Sequence, residues 1–142
     1  MLLSQTSEYA LRAMAHLARE PEGAWVSGRD LAQATRVPPA YVGKVMRQLV
    51  LAGLVAGKSG KAGGFRVARP PASIRFIDVL DALDAVPDDE RCAFGLDRCD
   101  PDSPCHLHDN WAQLRNFFLQ WAENTTFADV GPDGQIPELP KA

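Results

Sequence analysis

The chain has 142 residues, 46% of them hydrophobic, which suits one domain with a buried core. Its net charge of −3 hides two unequal halves: residues 1–75 hold 11 Lys/Arg and 4 Asp/Glu (+7), whereas residues 76–142 hold 4 and 14 (−10). No apolar run approaches the ~20 residues of a membrane span, and the N-terminus lacks the basic and apolar regions of a signal peptide. We therefore expect a cytoplasmic protein with no membrane partner, whose basic half meets nucleic acid.

Three helices are predicted before residue 54. Hydrophobic spacing places the first over residues 4–19. The second runs from Ser27 through Ala34, and Asp30 follows its capping serine at the spacing of a capping box. Two prolines at 38–39 suit the first turn of a third helix, where the missing N–H is not needed. The predicted buried face of this third helix comprises Val42, Val45, Met46 and Leu49.

A hairpin with a basic, glycine-rich tip follows the third helix. Two extended runs, 54–56 and 65–67, flank the segment GKSGKAGG at 57–64. The order helix, helix, turn, helix, basic hairpin is that of a winged helix-turn-helix domain. The sequence therefore predicts a mainly α fold, with this domain over residues 1–72.

The outer face of the third helix and the hairpin, or wing, form the predicted DNA interface. The N-terminal residues of a recognition helix reach base edges, and wing cations release counterions from phosphates. The start of the second helix adds possible phosphate contacts. The predicted set is Ser27, Arg29, Pro39, Ala40, Tyr41, Lys44, Arg47, Lys58, Ser59, Lys61 and Arg66. The alternative is an ordinary solvated surface.

Residues 73–130 are predicted to hold a second unit. Ser73 is predicted to cap a helix with Phe76, Ile77 and Leu80 facing inward. A loop over 92–105 leads to a long helix over about 108–123, and the tail 131–142 is predicted to be disordered. The long helix is too apolar to stand alone, so we expect it to pack against its copy in a homodimer. Its apolar stripe comprises Trp111, Leu114, Phe117, Phe118 and Trp121.

The three cysteines follow the pattern C-x6-C-x5-C-x2-H, from Cys92 through Cys99 and Cys105 to His108, with His106 as a competing imidazole. An odd, clustered set favours a metal centre over a disulfide framework. Soft thiolates select iron–sulfur clusters or zinc, and the spacing is wider than that of a C-x2-C zinc site. Structural zinc, a cluster-free thiol redox switch and a Cys/His enzyme stay open as alternatives. The enzyme lacks a third orienting group, so no enzymatic activity is expected.

The chain resembles the iron–sulfur winged-helix transcription regulators of the IscR/NsrR type. The resemblance covers residues 1 to about 130, and the segments that carry it are SEYALRAM at 7–14, YVGKVMRQL at 41–49, GGFRV at 63–67 and the cysteine loop. It implies a homodimer joined by the long helix and a palindromic operator in double-stranded DNA. It also implies that the cluster sets the operator affinity, more in the manner of a repressor than of an activator.

The same resemblance implies the ligands of the cluster. Cys92, Cys99 and Cys105 correspond to the three thiolate ligands, and His108 to the fourth ligand of IscR-like members. Other members use an acid from the partner chain, a position that Glu8 matches. Cysteine plus histidine ligation favours [2Fe–2S] over [4Fe–4S]. The chain departs from the family in having six residues between the first two cysteines and Gly43 where some members carry a long polar side chain.

Overall fold

The computed structural model describes residues 3–87, 93–94 and 102–130. They form a mainly α winged-helix structure, as the sequence predicts. Its elements are α1 (Gln5–Arg19), α2 (Gly28–Thr35), α3 (Pro39–Leu51), β1 (Val55–Lys58), β2 (Gly64–Val67), a 3-10 turn (Pro71–Ser73), α4 (Phe76–Ala82) and α5 (His108–Asn124). The predicted disordered tail and most of the cysteine loop lie outside the described residues.

The start of α2 is capped as predicted, and a side chain of α1 forms a hydrogen bond with its last residue. The Ser27 hydroxyl accepts a hydrogen bond from the Asp30 N–H at 3.1 Å, which satisfies one of the donors that a helix leaves open at its start. Arg36 follows α2 in the left-handed conformation, with φ at 53°. Arg12 of α1 donates from Nη1 to the Thr35 carbonyl at 3.0 Å. The turn that leads into α3 is therefore fixed by a contact from outside the helix-turn-helix.

The wing is a two-stranded antiparallel hairpin to which Val26 adds an isolated β-bridge. β1 and β2 pair from Val55 opposite Val67 to Lys58 opposite Gly64. Val26 then bridges the other side of β2, exchanging backbone hydrogen bonds with Phe65 at 2.9 and 2.7 Å. Position 64 requires glycine, because its φ is +144° and a Cβ there would clash with the Val26 backbone.

The main core joins α1, α2 and α3 to the wing and to α4. Met14, Leu31 and Met46 are fully buried at its centre. Ile74 and Val79, from the region after the wing, are buried in the same cluster. A smaller cluster of Leu80, Phe118 and Ala122 joins α4 to α5.

The predicted cap of the fourth helix is wrong. The Ser73 hydroxyl donates to the Pro70 carbonyl at 2.7 Å within the 3-10 turn, so it is turned away from the helix. α4 begins after Arg75, whose backbone N–H donates to the Asp78 carboxylate at 2.8 Å and whose guanidinium donates to it at 3.1 Å. Burial raises the pKa of Asp78, but these hydrogen bonds from Arg75 outweigh it and hold the pKa below its ordinary value.

The segment after α5 returns to the start of α4. The Phe76 N–H donates to the Thr125 carbonyl at 2.9 Å, and the Phe127 N–H donates to the Ile74 carbonyl at 3.1 Å. The Phe127 side chain is fully buried in the main core, with its ring 4.7 Å from that of Phe76. The end of α5 is thereby tied to the DNA-binding half of the chain.

Candidate nucleic-acid interface and metal centre

Helix α3 presents a polar face opposite its buried one. Val42, Val45, Met46 and Leu49 are buried, as predicted. Five of the residues predicted to meet DNA belong to this helix, and all five are exposed: Pro39, Ala40, Tyr41, Lys44 and Arg47. The two cations are therefore open to solvent, on a helix that the core holds in place, which is the arrangement that base-edge contacts require.

The first turn of α3 is held by aromatic contacts that the sequence pattern did not indicate. The Tyr41 ring is 5.5 Å from the buried ring of Tyr9 and tilted by 60°. The Arg12 guanidinium lies 5.1 Å from the centroid of the same Tyr9 ring. Tyr41 is 42% exposed, so part of the residue stays open to solvent. Tyr41 can therefore both contact DNA and pack α3 against α1 through the Tyr9 ring.

Lys44 borders a cleft that the sequence could not reveal. The cleft lies between α3, the first turn of α1 and the end of α4, and Ser4, Gln48 and Asp84 also line it. A recognition-helix cation thus shares a cleft with an acid from the segment that leads toward the cysteine loop.

A second, shallow groove joins the start of α2 to α3 and β2. Arg29, Pro39, Gly43 and Phe65 are among its lining residues. A Cβ atom at Gly43 would meet nothing within 4 Å, so this side of the recognition helix is open. The structure therefore brings Arg29 and Pro39, from two helices, to one surface. Ser27 lies beside Arg29, but its hydroxyl oxygen already accepts the α2 cap hydrogen bond.

The wing exposes its predicted cations and adds an aromatic partner. Lys58, Ser59 and Lys61 are exposed at or near its tip, whereas Arg66 is half-buried. The Arg66 guanidinium lies 4.3 Å from the centroid of the Trp25 ring, and the Lys58 ammonium lies 5.7 Å from it. The sequence does not identify Trp25 as their partner, because the two cations lie 33 and 41 positions further along the chain and no local pattern reports the contact.

The cysteine region is described in part. Cys92 and Cys99 lie outside the described residues, and the prediction for them stays a prediction. Cys105 is an exposed free thiol, and its carbonyl accepts a hydrogen bond from the His108 N–H at 3.1 Å, so one turn carries both side chains. Glu8 is half-buried in the first turn of α1. Within the described residues no group of three His, Cys, Asp or Glu side chains could hold a metal ion.

The donors on this turn fit the cluster that the sequence suggests. A thiolate and an imidazole are ligands of iron–sulfur centres, and Cys105 is open to solvent while His108 is half-buried at the first position of α5. When bound, such a cluster supplies a redox- and iron-sensitive centre.

The apolar stripe of α5 is divided between two environments. Phe118 and Ala122 are buried against α4. Three large apolar side chains on the same helix are exposed: Leu114, Phe117 and Trp121, of which Phe117 is 72% exposed. The single chain thus covers only part of the stripe.

A family model described as "Rrf2: Iron-dependent Transcriptional regulator" matches residues 3–133. The chain belongs to the Rrf2 family. This confirms the resemblance to IscR/NsrR-type regulators at the level of the family, and it makes the protein a DNA-binding transcriptional regulator. Among its relatives is the "Putative HTH-type transcriptional regulator" of Aquifex aeolicus (strain VF5), 30% identical over 132 residues, which are 92% of this chain and 91% of that protein.

A further relative supports this placement, and two solved structures share the fold. The "Putative HTH-type transcriptional regulator Rv1287" of Mycobacterium tuberculosis (strain ATCC 25618 / H37Rv) is 36% identical over 139 residues, 97% of this chain and 85% of that one. CymR of B. subtilis, described as the global cysteine regulator, superposes with a TM-score of 0.74 at 22% identity, covering 90% of this chain and 94% of that one. IscR of T. potens gives 0.72 at 21% identity, covering 99% and 93%.

These similarities confirm the winged-helix fold. Both relatives bear the names of transcriptional regulators, in agreement with the prediction that this chain is not an enzyme. In the part of the chain that the structure describes, no helix combines the length and apolarity needed to cross a membrane.

Proposed function

We propose that this Rrf2-family protein is a cytoplasmic, homodimeric repressor that binds a palindromic operator with an affinity set by an iron–sulfur cluster. The observation that carries the proposal is the turn that joins Cys105 to His108 at the start of α5, in a family whose model is described as iron-dependent. Cys92, Cys99 and Cys105 would hold the cluster together with His108, and [2Fe–2S] is the favoured type. The chain's own residues would bind iron at thiolate sulfur and imidazole nitrogen.

The same geometry suggests how cluster binding reaches the DNA-binding half. The turn opens α5, and α5 packs on α4 through Phe118 and ends at the Thr125–Phe76 backbone hydrogen bond. α4 in turn packs on α1 and α3. A change at the turn would therefore move elements that share a core with the recognition helix, and the equilibrium between two arrangements would shift.

The exposed stripe on α5 supports a homodimer. Leu114, Phe117 and Trp121 leave an apolar surface that water does not favour. A second copy of α5 would cover it, and a two-fold dimer would present two α3 helices to two half-sites of a palindrome.

A second candidate function is a thiol redox switch without a cluster. The exposed free thiol of Cys105 favours it, because an accessible cysteine can be oxidised reversibly. The two candidates differ in colour: only a cluster protein purified anaerobically absorbs visible light.

We expect the wing lysines to carry part of the electrostatic contact with DNA. Replacing Lys58 and Lys61 together with methionine should weaken binding to all duplexes. It should also make the negative slope of log K against log salt shallower by about two, one per lost phosphate contact. The slope is measured by fluorescence anisotropy between 50 and 300 mM KCl, a range of about 0.8 in log units. Arg19→Met, an exposed cation of α1 outside the predicted interface, is the matched control and should leave the slope unchanged. An unchanged slope in the double variant would mean that the wing tip does not touch DNA.

Lys44 should affect specificity more than general affinity. Its exposed position in α3 places it where base edges are read, and a bidentate contact with guanine is worth ~1–3 kcal/mol of discrimination. Lys44→Ala should therefore weaken binding to the preferred duplex by about ten- to a hundredfold while changing binding to a scrambled duplex far less. The preferred duplex is selected beforehand from a random library, and both affinities are measured at one salt concentration. Equal losses on the two duplexes would reduce Lys44 to a phosphate contact.

A further inference from the structure

Trp25 lies on the outer face of the wing, together with two of its cations. Because Val26 pairs with Phe65 in antiparallel fashion, Trp25 lies opposite Arg66 on β2. Lys58 pairs with Gly64, two residues from Arg66, and side chains two apart on a strand share a face. The register thus places all three side chains on one side of the small sheet. Phe65 points to the other side, where it packs against the main core and lines a groove with residues of α2 and α3.

The distances identify the interaction that holds this group together. The Arg66 guanidinium is 4.3 Å and the Lys58 ammonium 5.7 Å from the centroid of the Trp25 ring. Both distances lie within the ~6 Å range of a cation–π interaction, for which tryptophan is the strongest partner. Within the described residues, neither cation has a carboxylate within 4.0 Å. The ring is thus the attractive partner that the structure gives both cations.

An aromatic partner differs from a carboxylate in one respect that matters for DNA. A carboxylate would neutralise the cations and compete with phosphate, whereas the indole ring carries no net charge. It restricts long, flexible side chains and leaves their charge and their N–H donors available. Side chains restricted before binding lose less conformational freedom when they meet a phosphate.

We propose that Trp25 is a positioning residue for DNA binding, which holds Arg66 and Lys58 on the outer face of the wing in the arrangement that meets the phosphate backbone. This inference rests on the proposed role of the wing in DNA binding. It adds to the interface a residue that lies outside both the recognition helix and the hairpin, at the edge strand that precedes α2.

A double-mutant cycle tests the proposal. The four full-length proteins are the unchanged chain, Trp25→Leu, Lys58→Met with Arg66→Met, and the triple variant, each titrated with one operator duplex at fixed salt. Trp25→Leu should weaken binding by about three- to tenfold, since two cation–π contacts are lost. In the background without the two cations the same replacement should change binding by less than about 1.5-fold, because the residue acts through them.

Trp25→Phe is the second variant and protects the test against a folding defect. It keeps an aromatic face of weaker attraction and should lose only about two- to threefold in affinity. Thermal unfolding of each variant, followed by circular dichroism, establishes that the DNA-binding half is folded at the temperature of the titration.

Three results would overturn the proposal. If Trp25→Leu and Trp25→Phe bind DNA like the unchanged chain while the cation variant is weakened, the ring does not position the cations. An equal loss from Trp25→Leu with and without the two cations would mean that the ring acts on DNA or on the fold directly. If the cation variant itself binds normally, the proposed contact of the wing with phosphate fails, and the role of Trp25 fails with it.

Discussion

Replacing Phe127 with alanine should lower the free energy of unfolding by about 3–5 kcal/mol. The side chain is fully buried, packs against the ring of Phe76 at 4.7 Å and belongs to the core that holds α1 and α3. Its removal takes away a large apolar surface and leaves a cavity that the surrounding helices can fill only in part. A loss of this size is a large fraction of the 5–15 kcal/mol that stabilises an ordinary domain.

The measurement is guanidinium unfolding followed by circular dichroism, at one protein concentration, since the stability of a dimer depends on concentration. Leu51→Ala is the matched control: Leu51 is 78% exposed at the end of α3 and should change the stability by less than about 0.5 kcal/mol. If both variants unfold at the same denaturant concentration, Phe127 does not anchor the return segment.

The position of Phe127 also shows which parts of the fold could be predicted. The cap of α2 was predicted because its partners, Ser27 and Asp30, are three residues apart and their spacing is local. The contact between Phe127 and Phe76 joins residues 51 positions apart, and a single sequence holds no local pattern for it. The same reason explains why Trp25 was not identified as a partner of Arg66.

The fourth helix shows how a local pattern can mislead. Ser73 has the chemistry of an N-cap, but the proline at position 70 leaves a carbonyl that the Ser73 hydroxyl binds in a 3-10 turn. The Asp78 carboxylate instead accepts hydrogen bonds from the backbone and the guanidinium of Arg75, the residue before α4. Sequence spacing cannot decide which of two neighbouring polar side chains binds at the start of the helix and which binds a carbonyl that precedes it.

For the candidate sites, the composition of the surface was easier to predict than its geometry. The exposure of Lys44, Arg47, Lys58 and Lys61 follows from helical spacing and from a glycine-rich hairpin. The cleft beside Lys44 and the ring contact between Tyr41 and Tyr9 depend on how α1 packs against α3. The hydrophobic periodicity of the sequence does not encode that packing. The cysteine pattern predicts which donors are present, and their convergence stays a prediction because two of them lie outside the described residues.

Replacing Cys105 with serine should abolish the visible absorbance of the protein purified without oxygen. A cluster bound by three thiolates and one further ligand loses a strong soft donor, and serine binds iron less well. Cys92→Ser and Cys99→Ser should have the same effect. The measurement is the absorption spectrum together with iron and sulfide content per chain. A colourless parent protein with one zinc per chain would replace the cluster with structural zinc, and a colourless, metal-free parent would favour the thiol switch.

The fourth ligand is decided by two further variants and one DNA titration. His108→Ala should leave a cluster that bleaches faster in air, since it removes the imidazole held on the Cys105 turn, whereas Glu8→Ala should keep the parent's rate. If instead Glu8→Ala bleaches faster and His108→Ala keeps the parent's rate, the fourth ligand is the acid of the partner chain.

Because the turn opens α5 and α5 is tied to the core beneath α3, the loss of the cluster should change operator affinity at least tenfold, a coupling of about 1.4 kcal/mol. Equal operator affinity with and without the cluster would make it a structural element, and the proposed regulation by the cluster would then be wrong.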